Sequence, residues 1–196
     1  MDATLPPRAE QLALMHEHVG SESLRRHMYA VEAACRAYAR RWGDDEEAYG
    51  AAGLLHDFDY EAHPDQHPLA GVDVLRARGY PDEVIHAIQA HYAARTGVHP
   101  ESRLDHTLWA CDEITGLVTA AALVRPSRSV MDLEAKSVLK KMKDKAFAAG
   151  VDRDEVRAAA QALGVELAEH VQFVIEAMRG VAADLGLAGA DVTAHG

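Results

Sequence analysis

Signals that begin and end helices recur along the whole chain, and they constrain its fold more than any other feature. Ser21 can cap a helix that runs to Trp42, and Gly43 stands just beyond its end. Strand signals are nearly absent, because the sequence has neither a sustained alternation of apolar and polar residues nor an Asn-Gly or Asp-Gly hairpin turn. This pattern predicts an all-α fold.

Two D-x-x-E capping boxes, Asp44 with Glu47 and Asp152 with Glu155, open further helices. The predicted helices after Gly43 span residues 44–57, 69–78, 81–95, 102–123, 131–149, 152–164 and 165–185. We therefore expect a compact, single-domain helical bundle of eight or nine helices over residues 1–196, with a frayed tail at 187–196.

Composition limits the compartment and the partners. Cys35 and Cys111 are too few for a disulfide framework and lie in apolar helical stretches, so we expect core residues and a cytoplasmic protein. No run approaches the roughly 20 apolar residues of a membrane span, and the N-terminus MDATLPPRAEQ lacks the features of a secretory signal. The net charge of −11 at pH 7 argues against general nucleic-acid binding, which needs a broad basic surface.

Histidine is the unusual residue of the composition, with 12 copies in the chain. His27 begins an apolar helical stripe, His91 follows Val84, Ala87 and Ile88 on the core side of its helix, and Asp112 stands among apolar residues. Any one of these is more simply explained as a hydrogen-bonded core residue. Together with the adjacent His56 and Asp57, they favour a metal site, because neutral imidazoles and carboxylates are ligands of divalent ions.

The order His27, His56-Asp57, Asp112 resembles the HD superfamily of metal-dependent phosphohydrolases over about residues 21–120. His67-Pro68-Leu69-Ala70-Gly71 resembles the H-P-x-x-G element of the HDIG-type branch, and residues 85–92 resemble the segment where that branch places one or two further histidines. More narrowly, the chain is similar to an uncharacterised bacterial group of predicted HD superfamily hydrolases. The resemblance implies a metal-binding core over about 21–120, followed by a lysine-rich helix and C-terminal helices over about 129–186.

The resemblance also implies a ligand set. His27, His56, Asp57 and Asp112 would be the primary ligands, with Asp57 as the bridging and catalytic carboxylate. His67 and His91 would hold a second ion. One or two divalent ions are expected, and iron, manganese, zinc, nickel, cobalt and magnesium all stay open.

Two departures from the family pattern bear on the site. The HD-x-G-K run of the family reads His56-Asp57-Phe58-Asp59-Tyr60 here, so that its glycine and lysine are missing. The doubled histidine reads His91-Tyr92, which argues against a third ion.

All five lysines fall within residues 136–145. On a helix, Lys136, Lys140 and Lys143 share one face, and ammonium groups bind phosphate as mobile point charges. This segment is either a solvated amphipathic helix or a surface that faces an anionic substrate or an acidic partner. In the second case the three lysines would bind substrate and replace the lysine missing from the HD motif.

Three functional hypotheses follow. The leading one is hydrolysis of a phosphoester in a nucleotide or another small phosphorylated metabolite by metal-activated water. The second, which also rests on the resemblance, is an HD-type oxygenase with a mixed-valent di-iron centre. The third is a non-enzymatic binding or regulatory module in which the metal is structural. A homo-oligomer is compatible with all three.

Overall fold

The computed structural model describes residues 4–189, and this range contains ten α-helices, nine of them with seven or more residues. In chain order they are α1 Arg8–His18, α2 Glu22–Trp42, α3 Glu46–Leu55, α4 Leu69–Ala77, α5 Asp82–Ala90, α6 Ala93–Thr96, α7 Arg103–Leu123, α8 Ala135–Lys141, α9 Arg153–Leu163 and α10 Leu167–Arg179. Within residues 4–189 the β-structure is limited to one isolated bridge between Ser129 and Ala188. The predicted all-α fold is confirmed: in this range nine helices of seven or more residues agree with the eight or nine expected, and α6 is an additional helix of four residues.

The ends of the long helices follow the local sequence. The Ser21 hydroxyl accepts a hydrogen bond from the Leu24 N–H at the start of α2, and Gly43 ends the helix with a left-handed φ of 73°. In α7, Ser102 and Asp105 form a reciprocal capping box. These interactions join residues that are close in sequence, which is why sequence signals locate them well.

The predicted cap of α3 was wrong by one residue. Asp45 caps the helix, because its carboxylate accepts hydrogen bonds from the N–H groups of Glu47 and Ala48. The Asp44 carboxylate instead accepts hydrogen bonds from the Tyr49 hydroxyl, at 2.7 Å, and from the Arg103 guanidinium. Tertiary contacts therefore withdraw Asp44 from the helix terminus.

Helix α3 lies at the centre of the bundle, and every residue from Ala48 to Leu55 is buried. It packs most extensively against α2, where a Cβ at Gly53 would lie only 2.8 Å from the Glu32 Cα. Helices α5 and α7 pack on its other sides. This close packing brings the C-terminal end of α3, and with it His56, into the interior between α2, α5 and α7.

Three predicted helices are shorter than expected. The helix over 81–95 is interrupted at His91 and Tyr92, so that α6 stands apart from α5, and the helix over 165–185 forms only from Leu167 to Arg179. The helix over 131–149 forms only as α8, so Lys143 and Lys145 lie beyond its end. The helical periodicity that placed Lys143 on one face with Lys136 and Lys140 therefore does not apply.

The C-terminal segment after α10 returns to the core. Leu185 and Leu187 are buried, and the Leu187 carbonyl accepts a hydrogen bond from the Val130 N–H. The frayed tail predicted from residue 187 thus begins with an anchored residue, and its remainder, residues 190–196, lies outside the described residues. In the described part of the chain no helix has the length and apolar character needed to cross a membrane.

Candidate metal centre

The six predicted ligands come from five different elements that meet in the interior. One lies in the second turn of α2, two at and just after the C-terminal end of α3, one in the loop before α4, one at the end of α5 and one in the middle of α7. In that order they are His27, His56, Asp57, His67, His91 and Asp112.

A first set of ligand atoms surrounds one point. The His27 Nε2 atom lies 3.0 Å from Asp112 Oδ1 and 3.3 Å from His56 Nε2. His56 Nε2 lies 3.4 Å from Asp112 Oδ1 and 3.5 Å from Asp57 Oδ2. Atoms bound to one ion at about 2.0–2.2 Å are roughly 3.0–3.6 Å from one another. These four distances fit ligands of a single divalent ion, and the His27 Nε2–Asp57 Oδ2 distance of 3.8 Å is slightly longer.

A second set faces the other oxygen of the same aspartate. Asp57 Oδ1 lies 3.2 Å from His67 Nε2 and 3.7 Å from His91 Nε2, and the two histidine nitrogens are 3.3 Å apart. His27, His56 and Asp57 form one group that could hold an ion, and Asp57, His67 and His91 form another. Asp57 belongs to both groups and presents one of its oxygens to each.

Backbone contacts of His56 and His91 direct the Nε2 atoms of both rings into the cluster. The Nδ1 atom of His56 donates to the Gly53 carbonyl at 2.9 Å, and that of His91 donates to the Ile88 carbonyl at 2.5 Å. A carbonyl oxygen accepts only, so Nδ1 carries a proton, and Nε2 is the atom directed into the centre that would bind an ion in the neutral ring. Such outer contacts are a regular property of histidine ligands.

His67 is oriented by a carboxylate. Its Nδ1 atom lies 2.7 Å from Asp59 Oδ1, and Asp59 Oδ2 accepts a hydrogen bond from the Gly71 N–H at 2.7 Å. A Cβ at Gly71 would lie 2.8 Å from the Phe58 ring and 3.0 Å from the Asp59 carboxyl carbon. The glycine of the H-P-x-x-G element is therefore needed for this close approach, and Asp59 links that element to the HD motif.

The electrostatics of the cluster favour bound positive charge. Burial would lower the pKa of His56, but the carboxylates of Asp57 and Asp112 outweigh it and raise the pKa to about 10. Burial would likewise raise the pKa values of Asp57 and Asp112. The neighbouring histidines, above all His56, outweigh burial and hold both pKa values well below their usual range. Two carboxylates that stay ionised in the interior require compensating cations.

A pocket of about 450 Å³ opens onto the cluster. Glu113, Gly116, Val151 and Glu155 line it next to the ligands, together with Tyr60 and Tyr92. Burial, and then the charge of Asp112, raise the pKa of Glu113 to about 7. We call this cavity the metal pocket.

The three predicted lysines do not line the metal pocket. Lys143 lines a neighbouring cavity that shares only Val151 with it, and Lys136 and Lys140 are exposed side chains that line neither cavity. Their role in substrate binding stays a prediction.

Sequence reasoning missed Asp59, which orients His67, and two glutamates that line the metal pocket. Asp59 was visible only as a departure from the HD-x-G-K pattern, and Glu113 only as the neighbour of Asp112. Glu155 was interpreted as half of a capping box, but its carboxylate accepts a hydrogen bond from Trp109 Nε1 at 2.6 Å. No local signal indicates any of these contacts.

The HD domain family model matches residues 24–116, a range that contains all six clustered residues. The chain is a member of the HD domain superfamily. This confirms the resemblance at the level of the superfamily, whereas the narrower bacterial group stays a prediction.

The HD domain is also similar in sequence to part of larger proteins. Ribonuclease Y of Desulfotalea psychrophila is 32% identical over 140 residues, which are 68% of this chain and 26% of that protein. Ribonuclease Y of Oleidesulfovibrio alaskensis is 32% identical over 99 residues, and that of Nitratidesulfovibrio vulgaris 33% over 100 residues, in both cases 49% of this chain and 18% of the relative. The chain therefore spans about a quarter or less of the length of these relatives.

Proposed function

We propose that this HD domain protein is a metal-dependent phosphohydrolase that acts on a nucleotide or another small phosphorylated metabolite. The observation that carries the proposal is the position of Asp57, whose two oxygens face two separate histidine sets. Two ions bridged by one carboxylate can bind a phosphoester and a water molecule side by side. The names of the similar ribonucleases also support a phosphoester bond as the target.

Each clustered side chain would have a defined role in binding metal. His27, His56, Asp57 and Asp112 would hold one divalent ion, and His67, His91 and Asp57 the second. When bound, the ions would supply a Lewis acid and lower the pKa of a coordinated water molecule toward neutrality. Asp57 would fix the separation of the two ions, and Asp59 would keep His67 in the tautomer that binds metal.

Turnover by metal-loaded protein tests the proposal. Purified protein, loaded in turn with each of the six metals and with its metal content measured, should release phosphate or a phosphorylated product from members of a nucleotide and sugar-phosphate panel. Asp57→Ala should lower the rate roughly 1,000-fold, since several kcal/mol of transition-state stabilisation depend on the ions.

The matched control is Asp65→Ala, an exposed aspartate of the loop that follows the HD motif. This variant should keep the wild-type metal content and rate. No turnover of any phosphoester by fully loaded protein would refute the proposal, as would equal activity of the two variants.

The two alternatives remain separable from hydrolysis. The two groups of clustered residues, together with Asp112, would also hold two irons, so the di-iron oxygenase predicts iron in aerobically purified protein and the resonance signal of a mixed-valent pair. The structural-metal module predicts a large loss of thermal stability after chelation without turnover of any substrate.

A further inference from the structure

A second cavity of about 490 Å³ adjoins the metal pocket. His27 and Gly116 line both cavities, so the two cavities adjoin each other at these residues. Leu123 of α7 and Leu185 and Leu187 of the C-terminal segment form the apolar walls of the second cavity. We call it the apolar groove.

One face of α7 leads from the ligands to the groove. Asp112, Gly116, Thr119 and Leu123 are separated by four, three and four residues, so they lie on the same side of the helix. Asp112 belongs to the metal cluster, whereas Thr119 and Leu123 line the groove. A ligand that reached from the cluster into the groove would therefore lie along this face of α7.

Gly116 lines both cavities and places no side chain between them. A Cβ at this position would meet a single neighbour within 4 Å, the Val151 side chain at 3.9 Å, so packing does not require a glycine. A glycine inside a helix lowers its stability relative to alanine. What the missing side chain provides is space between the cluster and the groove.

The cavity that adjoins the metal pocket at Val151 has a charged lining instead of an apolar one. Glu113 and Glu155 line the pocket near Val151, and the Glu113 carboxylate accepts a hydrogen bond from the Asp152 N–H. The cavity beyond Val151 is lined by charged groups of both signs, among them Lys143 and Asp154. In the apolar groove the charged groups stand at α2, where Glu22 and Arg26 pair with each other.

We propose that the apolar groove is the subsite for the organic part of the substrate, and that this part is uncharged and largely apolar. The inference rests on the proposed function, since it takes the phosphate to be bound at the metal cluster. Apolar surface that leaves water for the groove stabilises the complex, whereas a charged group would lose hydration and would have to compete with the Glu22–Arg26 ion pair for a partner.

Alkyl phosphates of increasing chain length test the subsite. Ethyl phosphate and hexyl phosphate have the same charge and the same kind of leaving group, and they differ by four methylene groups. With metal-loaded protein, kcat/KM should be at least about 10-fold higher for hexyl phosphate than for ethyl phosphate. Equal values for the two esters would overturn the subsite and leave the phosphohydrolase intact.

Two variants connect the preference to the groove. Gly116→Leu should place a side chain between the two cavities and reduce the hexyl-to-ethyl ratio to about 2 or less, with its metal content measured because Asp112 is one turn away. Leu123→Asn should also reduce the ratio. Its matched control is Val124→Asn, because Val124 is the adjacent exposed apolar residue and does not line the groove.

Val124→Asn should keep the wild-type ratio, and equal ratios for Leu123→Asn and Val124→Asn would refute the subsite. If the loaded protein hydrolyses neither ester, the proposed function fails, and calorimetric titration then tests the groove alone. In that case hexyl phosphate should bind at least about 10-fold more tightly than ethyl phosphate to the metal-loaded protein. Equal affinities would overturn the subsite independently of hydrolysis.

Discussion

His56 and His170 are both fully buried histidines, yet their surroundings differ. His170 Nε2 donates to the Ala110 carbonyl at 2.9 Å, and its Nδ1 lies 2.6 Å from the Tyr38 hydroxyl, so both ring nitrogens have partners. In His56 only Nδ1 is bound to a backbone acceptor, and Nε2 faces another histidine and two carboxylates.

The pKa shifts of the two histidines have opposite directions. Burial lowers the pKa of His170, and the hydrogen bond to Ala110 offsets this only in part. For His56 the two aspartates outweigh burial and raise the pKa. Burial of a histidine is therefore no sign of a metal site by itself. The sign is an Nε2 atom that faces ionised carboxylates and another imidazole instead of a backbone carbonyl.

Replacement of each buried histidine, His56 or His170, with phenylalanine should give the largest difference in turnover. His56→Phe removes a ligand from the first set and should lower metal-dependent turnover roughly 1,000-fold. His170→Phe leaves the Tyr38 hydroxyl and the Ala110 carbonyl unpaired, which should lower the free energy of unfolding by about 1–3 kcal/mol. Elemental analysis, turnover and urea denaturation measure these effects.

His170→Phe should retain the wild-type metal content and turnover at temperatures where it is folded. If it lost metal to the same extent as His56→Phe, the distinction between the two buried histidines would be wrong.

The second comparison concerns two buried aspartates that each contact a histidine. Asp59 Oδ1 lies 2.7 Å from His67 Nδ1, and Asp105 Oδ2 lies 2.9 Å from His86 Nδ1. An asparagine at position 59 cannot accept from both His67 and the Gly71 N–H, because one of its two polar atoms is a donor. Asp59→Asn should weaken binding of the second metal about 10–100-fold in a calorimetric titration.

Asp105→Asn is the matched control, since Asp105 caps α7 and His86 is not among the clustered histidines. It should lower thermal stability without changing the affinity for either ion. Equal metal affinities in the two variants would show that Asp59 does not position His67.

The smallest expected effect is a dependence on pH. The native pKa of His170 lies below its unfolded value of about 6.5, so below that pH the unfolded chain binds a proton that the native chain does not. The contribution of His170 to stability is therefore present above about pH 6.5 and decreases as the pH falls. The difference in unfolding free energy between metal-free wild type and His170→Phe should be larger at pH 7.5 than at pH 5.

Denaturation of both metal-free proteins at the two pH values measures this, because the titration of the metal cluster contributes equally to each and cancels. A difference that stays constant or grows toward pH 5 would contradict the assignment of His170 as a buried neutral histidine.

The sequence predicted the helices more completely than it predicted the candidate site. The positions of Ser21, Gly43 and Ser102 located helix ends, because a cap satisfies backbone groups within three residues of itself. The six clustered residues were selected with the help of a family resemblance, and their spacing alone would not have shown that they meet. The lysine segment was the least successful prediction, since helical periodicity was extended beyond Lys141, where α8 ends.

By itself, the sequence determined that this chain forms helices and where most of them begin, since caps and apolar periodicity act between near neighbours. Only the tertiary structure decided the partners of the carboxylates. Asp44 contacts Arg103, Glu155 contacts Trp109, and Asp57 faces histidines from other parts of the chain. A carboxylate finds its partner through the packing of distant helices, and no local interaction specifies that packing.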